Sequence, residues 1–142
     1  MNFAKRTAKL FLAATILGGL FSVALASGSV AGIWHGNIRY DYSKLPKDAS
    51  PDKVRSLKAQ GQARLNDILT LTLNRNNKFT ITVKGPAKPP PPVVGNWSFA
   101  GSSLQLQAVK DGRPQPPHTF KLAKDGKSMT FEYGPVTMKF WR

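Results

Sequence analysis

From residue 67 onward, apolar and polar positions alternate with a period of two, segment after segment. Leu69, Leu71 and Leu73 alternate with Thr70 and Thr72, and Phe79, Ile81 and Val83 with Thr80 and Thr82. Trp97 and Phe99 flank Ser98, Leu104 and Leu106 alternate with Gln105 and Gln107, and Phe120 and Leu122 flank Lys121. Met129, Phe131 and Tyr133, then Val136, Met138 and Phe140, repeat the pattern against threonine, glutamate and lysine. Successive side chains of a strand point to opposite faces, so each of these segments predicts a strand with one face to hide. An eighth strand precedes them over residues 30–40, where Gly32, Trp34, Gly36, Ile38 and Tyr40 share a face.

Eight half-apolar strands bury a single side by curling closed around their own side chains. The expected fold is therefore all-β, an eight-stranded antiparallel up-and-down barrel. A two-sheet sandwich produces the same alternation and stands as the alternative. A barrel whose first and last strands fail to pair would carry exposed edges that invite dimerisation. Short polar links at residues 74–77, at Gly101-Ser102 and at Asp125-Gly126 join neighbouring strands, the last being a strong hairpin signal. Between the first and second strands, Ser50 can cap a helix that begins at Pro51, and Val54, Leu57, Leu65 and Ile68 recur at helical spacing. One amphipathic helix is expected over residues 51–66, placed as a lid. Gly61 weakens it by about 1 kcal/mol relative to alanine, so it depends on packing against the barrel.

Successive links of a meander alternate between the two ends of a barrel. The first, third, fifth and seventh links are the helical insert, residues 85–92 with their run of prolines, residues 110–117 and Gly134-Pro135. The opposite end holds only tight turns. One end is thus open and elaborated, and binding in such folds sits on the loops of the open mouth. The inward register there and below contains Tyr40, Phe79, Trp97, Phe99, His118, Phe120 and Tyr133. With Leu57 from the helix, these are the candidate residues for a small apolar or amphipathic ligand. Packed together, the same aromatic residues would instead fill the interior. Tyr40 and Tyr133 carry hydroxyls that need partners when buried, which favours them for a polar contact inside the mouth. Strand direction brings Trp34, on the first strand, and Arg142, on the last, to the closed end, where guanidinium can stack on indole.

A Gly-x-Trp phrase on the first strand, Gly32-Ile33-Trp34, a one-barrel meander and a final-strand Arg142 together resemble the lipocalin-like proteins. The resemblance covers residues 30–142. It implies a calycin-type barrel that holds a ligand at its mouth, with Arg142 lying across Trp34 to plug the floor. A second phrase, Gly95-Asn96-Trp97, makes the layout similar to small exported bacterial domains of lipocalin-like type.

Lys5, Arg6 and Lys9 precede an apolar run of 16 residues, and Ala24-Leu25-Ala26 offers the small residues that a signal peptidase reads. Roughly 20 residues are needed to span a bilayer, so a retained anchor is the weaker reading. Residues 1–26 are expected to be a signal peptide and residues 27–142 one periplasmic or extracellular domain without a membrane-spanning segment. There is no cysteine, which excludes disulfides, a lipidated cysteine and thiolate metal ligands.

The 142-residue chain carries a net charge of +14; three of its 21 basic residues fall in the signal peptide, leaving 18 against seven acidic ones, or +11. That excess favours anionic lipid or polysaccharide surfaces outside the cytoplasm, with nucleic acid a weaker fit. A general solubilising role explains it equally well. The open end holds ten basic and five acidic residues, so an anion-selective mouth is allowed but not demanded. His35 falls outward and His118 inward, too few and too far apart for a metal centre. Glu132 faces outward, and no nucleophile triad or carboxylate pair is visible. A non-catalytic protein without cofactor is expected, and a polar cluster around His118 and Tyr133 would be needed to revive an enzyme. A filled barrel acting as an envelope scaffold through its basic surface is the second functional reading.

Overall fold

A computed structural model describes residues 30–142; the expected signal peptide and its cleavage point after Ala26 lie outside the described residues. β1 (Gly32–Tyr40) leads through a 3-10 turn (Tyr42–Lys44) into helix α1 (Pro51–Ala63). Then follow β2 (Ile68–Leu73), β3 (Lys78–Lys84), β4 (Val93–Ala100), β5 (Ser103–Lys110), the two-residue β6 (Arg113–Pro114), β7 (His118–Leu122), β8 (Ser128–Tyr133) and β9 (Val136–Trp141). All pairings are antiparallel. β6 pairs only with the end of β5, and the remaining strands close on themselves, with β1 joined to β9 from His35 opposite Trp141 to Tyr40 opposite Val136. The chain is a closed eight-stranded up-and-down barrel with one helix between β1 and β2. Closure rules out the sandwich and the open-edged barrel.

The period-2 pattern maps onto the wall as inside and outside. Trp34, Leu69, Leu71, Leu73, Leu104, Met129 and Phe140 are buried, while the intervening threonines, glutamines and lysines face out. Two inward glycines let the wall bend and are covered by the aromatic ring opposite. Gly36 pairs with Phe140 and Gly95 with Phe79, and each ring lies where a Cβ would have been. Glycine in a strand often marks such a bend or close approach, and a cross-strand aromatic restores the apolar cover that it lacks.

Ser50 caps α1 by accepting the Lys53 N–H at 3.3 Å, with Pro51 in the first turn. The helix stops at Ala63, short of the expected residue 66. Arg64 leaves helical geometry, and residues 64–67 close a turn in which the Asp67 N–H donates to the Arg64 carbonyl at 3.1 Å. Gly61 is the one buried residue of α1: a Cβ there would meet the Tyr42 hydroxyl and the Tyr40 ring, so the missing side chain seats the helix on two tyrosines. The link over residues 110–117 is partly ordered as well. Asp111 and Gly112 both have positive φ, 51° and 72°, forming a tight turn that folds β6 back on β5.

Candidate functional site

The strands approach the open mouth from below, and their inward side chains stop filling the barrel before the rim. A cavity of about 330 Å³ remains, walled by the buried Leu69, Phe79, Leu106 and Phe120 and by the half-buried Ile38, Ile81, Val83, Ala108, Phe131 and Met138. Pro90 and Val93 close one side of the rim. Arg64 and His118 are the titratable residues in the lining. An eight-stranded barrel is just wide enough to be filled by side chains or to enclose a small cavity, and here side chains fill it below and leave the cavity above.

An aromatic column runs down one wall of this cavity. The His118 ring meets Phe131 edge-on at 4.8 Å, Phe131 lies 5.2 Å from Phe120, and Phe120 lies 5.7 Å from Phe140. Such tilted arrangements set ring edges against ring faces, which stiffens the wall. Arg64 reaches the rim from the end of the helix but is held at 3.1 Å by Asp67, which is buried against Gly85. Its charge is therefore already compensated. On the other side of the mouth, Asp41 ties the end of β1 to the β8–β9 turn through its N–H, which donates to the Pro135 carbonyl at 2.7 Å. The Asp41 carboxylate accepts from the Ser43 hydroxyl at 2.6 Å and from the Ser43 N–H at 3.1 Å, and these bonds hold its pKa below the usual value.

Phe79, His118 and Phe120 come together in the cavity; the other five candidates do not line it. Trp97 and Phe99 are buried nearer the closed end, where the Trp97 indole N–H donates to the Asn74 carbonyl at 2.9 Å. Tyr133 lies beyond the rim beside the last turn and is 74 % exposed despite its inward register. Tyr40 stacks on Tyr42 at 6.3 Å and lines a separate cleft with Gly61 and Leu65, under the end of α1. Leu57, half-buried on α1, lines neither space. The inward strand residues of the lining that sequence reasoning missed are Phe131 and the aliphatic Ile38, Leu69, Ile81, Val83, Leu106, Ala108 and Met138. Their register was legible, and it was their closeness to the mouth that decided the lining.

At the closed end the Trp34 indole is fully buried, and the Arg142 guanidinium carbon sits 4.3 Å from the centre of its ring. The Arg142 N–H also donates to the Lys127 carbonyl at 3.1 Å, which fixes the chain end to the β7–β8 turn. Arg142→Ala should lower stability by about 0.5–2 kcal/mol, the usual range for such a stack, and leave the mouth unchanged. A urea melt measures this, and an unshifted midpoint would show that the stack contributes nothing.

Among the described residues, no helix is long and apolar enough to cross a membrane, and no group of three or more metal-ligating side chains comes together. No family model, no curated protein and no solved structure matches the chain.

Proposed function

We propose that the protein is an exported, lipocalin-like binding protein that holds a small apolar or amphipathic molecule in the mouth of its barrel. The observation that carries this reading is the cavity of about 330 Å³ with an almost wholly apolar lining. It lies at the small end of ligand pockets and, at roughly 30 Å³ for a water-sized group, has room for on the order of ten such groups. Each buried methylene contributes about 0.8 kcal/mol, so a compact ring system or short chain can be retained. His118 at the rim supplies a ring nitrogen for a polar tip. The two titratable side chains of the lining are already engaged, Arg64 by Asp67 and His118 by the ring of Phe131.

The lipocalin-like reading draws further support from the Trp34–Arg142 stack at the barrel floor and the helix beside the mouth. Export to the periplasm or beyond is part of the same proposal and rests on the charge and hydropathy pattern of residues 1–26. Naphthol, a compact amphipathic probe, should bind with saturation. Ala108→Trp, which puts an indole into the cavity, should weaken it by about tenfold or more, or about 1.4 kcal/mol, without lowering the melting midpoint. Equal naphthol affinity in the two proteins would overturn the mouth as the binding site. Native mass spectrometry of protein purified from its own host would then reveal the natural occupant as added mass.

A further inference from the structure

We propose that the outer wall of the barrel over β9 is a second binding site, specific for an acidic polysaccharide that carries carboxylates on its sugar rings. An open groove of about 540 Å³ crosses this wall, between the outward faces of β1 and β8 and bordered by the β7–β8 turn. Asn37 and Arg39 enter it from β1, Lys139 and Trp141 from β9, Lys127 from the turn and Arg142 from the chain end. Strand register explains the gathering. Asn37 lies opposite Lys139 across the β1–β9 pair, and Trp141 lies between His35 and Ser128 on the flanking strands. These positions alternate with the inward Ile38, Met138 and Phe140, so they face out.

Four cations share the groove with one carboxylate, Asp125, which accepts the backbone N–H of Lys127 at 2.9 Å. Among the described residues none of the four forms an ion pair: the three ion pairs lie elsewhere, at Lys44–Glu132, Arg55–Asp52 and Arg64–Asp67. Uncompensated like charges concentrated in a groove repel one another and raise the local concentration of a polyanion. Adjacent strands lie about 4.8 Å apart, so cations on β1, β9 and the turn beyond β8 are spaced on the scale of one or two sugar rings.

Trp141 supplies the second half of the chemistry. It is 40 % exposed, whereas Trp34 and Trp97 are buried. A flat indole offers apolar area to the C–H face of a sugar ring while the neighbouring cations take its carboxylate. A lipid surface fits less well, because a convex barrel wall touches a plane only along a narrow stripe. The groove's other residues, Asn37, Ser128 and Thr137, also form no apolar face of the kind that enters a bilayer. Single-stranded nucleic acid is held by several aromatic platforms for successive bases, and this groove has one.

The test uses the full chain and polygalacturonate, followed by tryptophan emission and calorimetry, with uncharged dextran as the control. Saturable binding to polygalacturonate, absent with dextran and weakened as salt shortens the screening length from about 30 Å to about 8 Å, is the expected result. Arg39→Glu/Lys139→Glu should reduce the affinity by about tenfold or more, with an unchanged melting midpoint because both residues are exposed. Trp141→Ala should weaken binding and abolish the emission change. Equal affinity in the charge-reversed protein would overturn the site, and tighter binding to phosphatidylglycerol vesicles or to oligothymidylate would overturn the choice of ligand.

Discussion

Trp34→Ala is expected to lower the free energy of unfolding by about 3–5 kcal/mol, the range for deleting a large buried aromatic side chain. The indole is 0 % exposed at the closed end. Its N–H donates to the Val30 carbonyl at 2.9 Å, and its face carries the Arg142 guanidinium. Alanine would therefore leave a cavity, an acceptor without its donor and a cation without its ring. A domain of this size holds only about 5–15 kcal/mol in total, so the variant should sit close to unfolding at room temperature. Trp34→Phe keeps most of the buried area and loses the hydrogen bond, and should fall between the two. Urea unfolding with an unchanged m value measures both losses, and a loss under about 1 kcal/mol for the alanine variant would contradict the packing described here.

Gly95→Ala is expected to damage stability and binding together. A Cβ at this position would run into the Gln107 carbonyl, come within 2.8 Å of the Ala108 Cα and lie 2.8 Å from the Phe79 ring. The first two contacts are with backbone of the paired strand β5 and can be relieved only by opening the β4–β5 ladder. The third is relieved by swinging Phe79 into the mouth cavity that it lines. Overpacking of this kind typically costs about 1–3 kcal/mol and sometimes more. Gly36→Ala separates the two effects. Its Cβ would meet Phe140 at 2.5 Å and the Lys139 carbonyl at 2.6 Å, but Phe140 does not line the cavity. Melts should show both variants destabilised, and a naphthol titration should show weaker binding in Gly95→Ala alone. Binding retained in both would mean that Phe79 does not move into the mouth.

The two Gly-x-Trp phrases look alike in the chain and serve different ends. Gly32 lies at the start of β1 with φ of 128°, a conformation that side chains rarely adopt, and nothing packs on it. Gly95 has an ordinary backbone and is required for space. No local signal separates these cases, because the first depends on the glycine's own dihedral and the second on Gln107 and Ala108 of the paired strand β5. The end of α1 is a similar case. Leu65 keeps helical spacing, yet it is 67 % exposed because the Arg64–Asp67 pair turns the chain toward β2.

What the sequence by itself determined was the barrel: strand count, order and the inside and outside of each strand follow from alternation, since every strand is covered on one face only. Loop parity likewise separated an elaborated end from a closed one and brought Trp34 and Arg142 to the same floor. Tertiary structure alone decided how far each inward ring reaches. Tyr133 rises past the rim, Tyr40 is drawn onto Tyr42 beneath the helix, and Trp97 and Phe99 fill the lower barrel, leaving Phe79, His118, Phe120 and Phe131 to line the cavity together with aliphatic residues. It also decided where the charge collects. Counting by barrel end finds no enrichment, whereas the β1–β9 register gathers Arg39 and Lys139 from opposite ends of the folded chain beside Lys127 and Trp141. Alternation is a property of neighbouring residues and can be read along the chain, but depth and cross-strand company depend on the register between segments far apart in sequence, which only closure of the barrel sets.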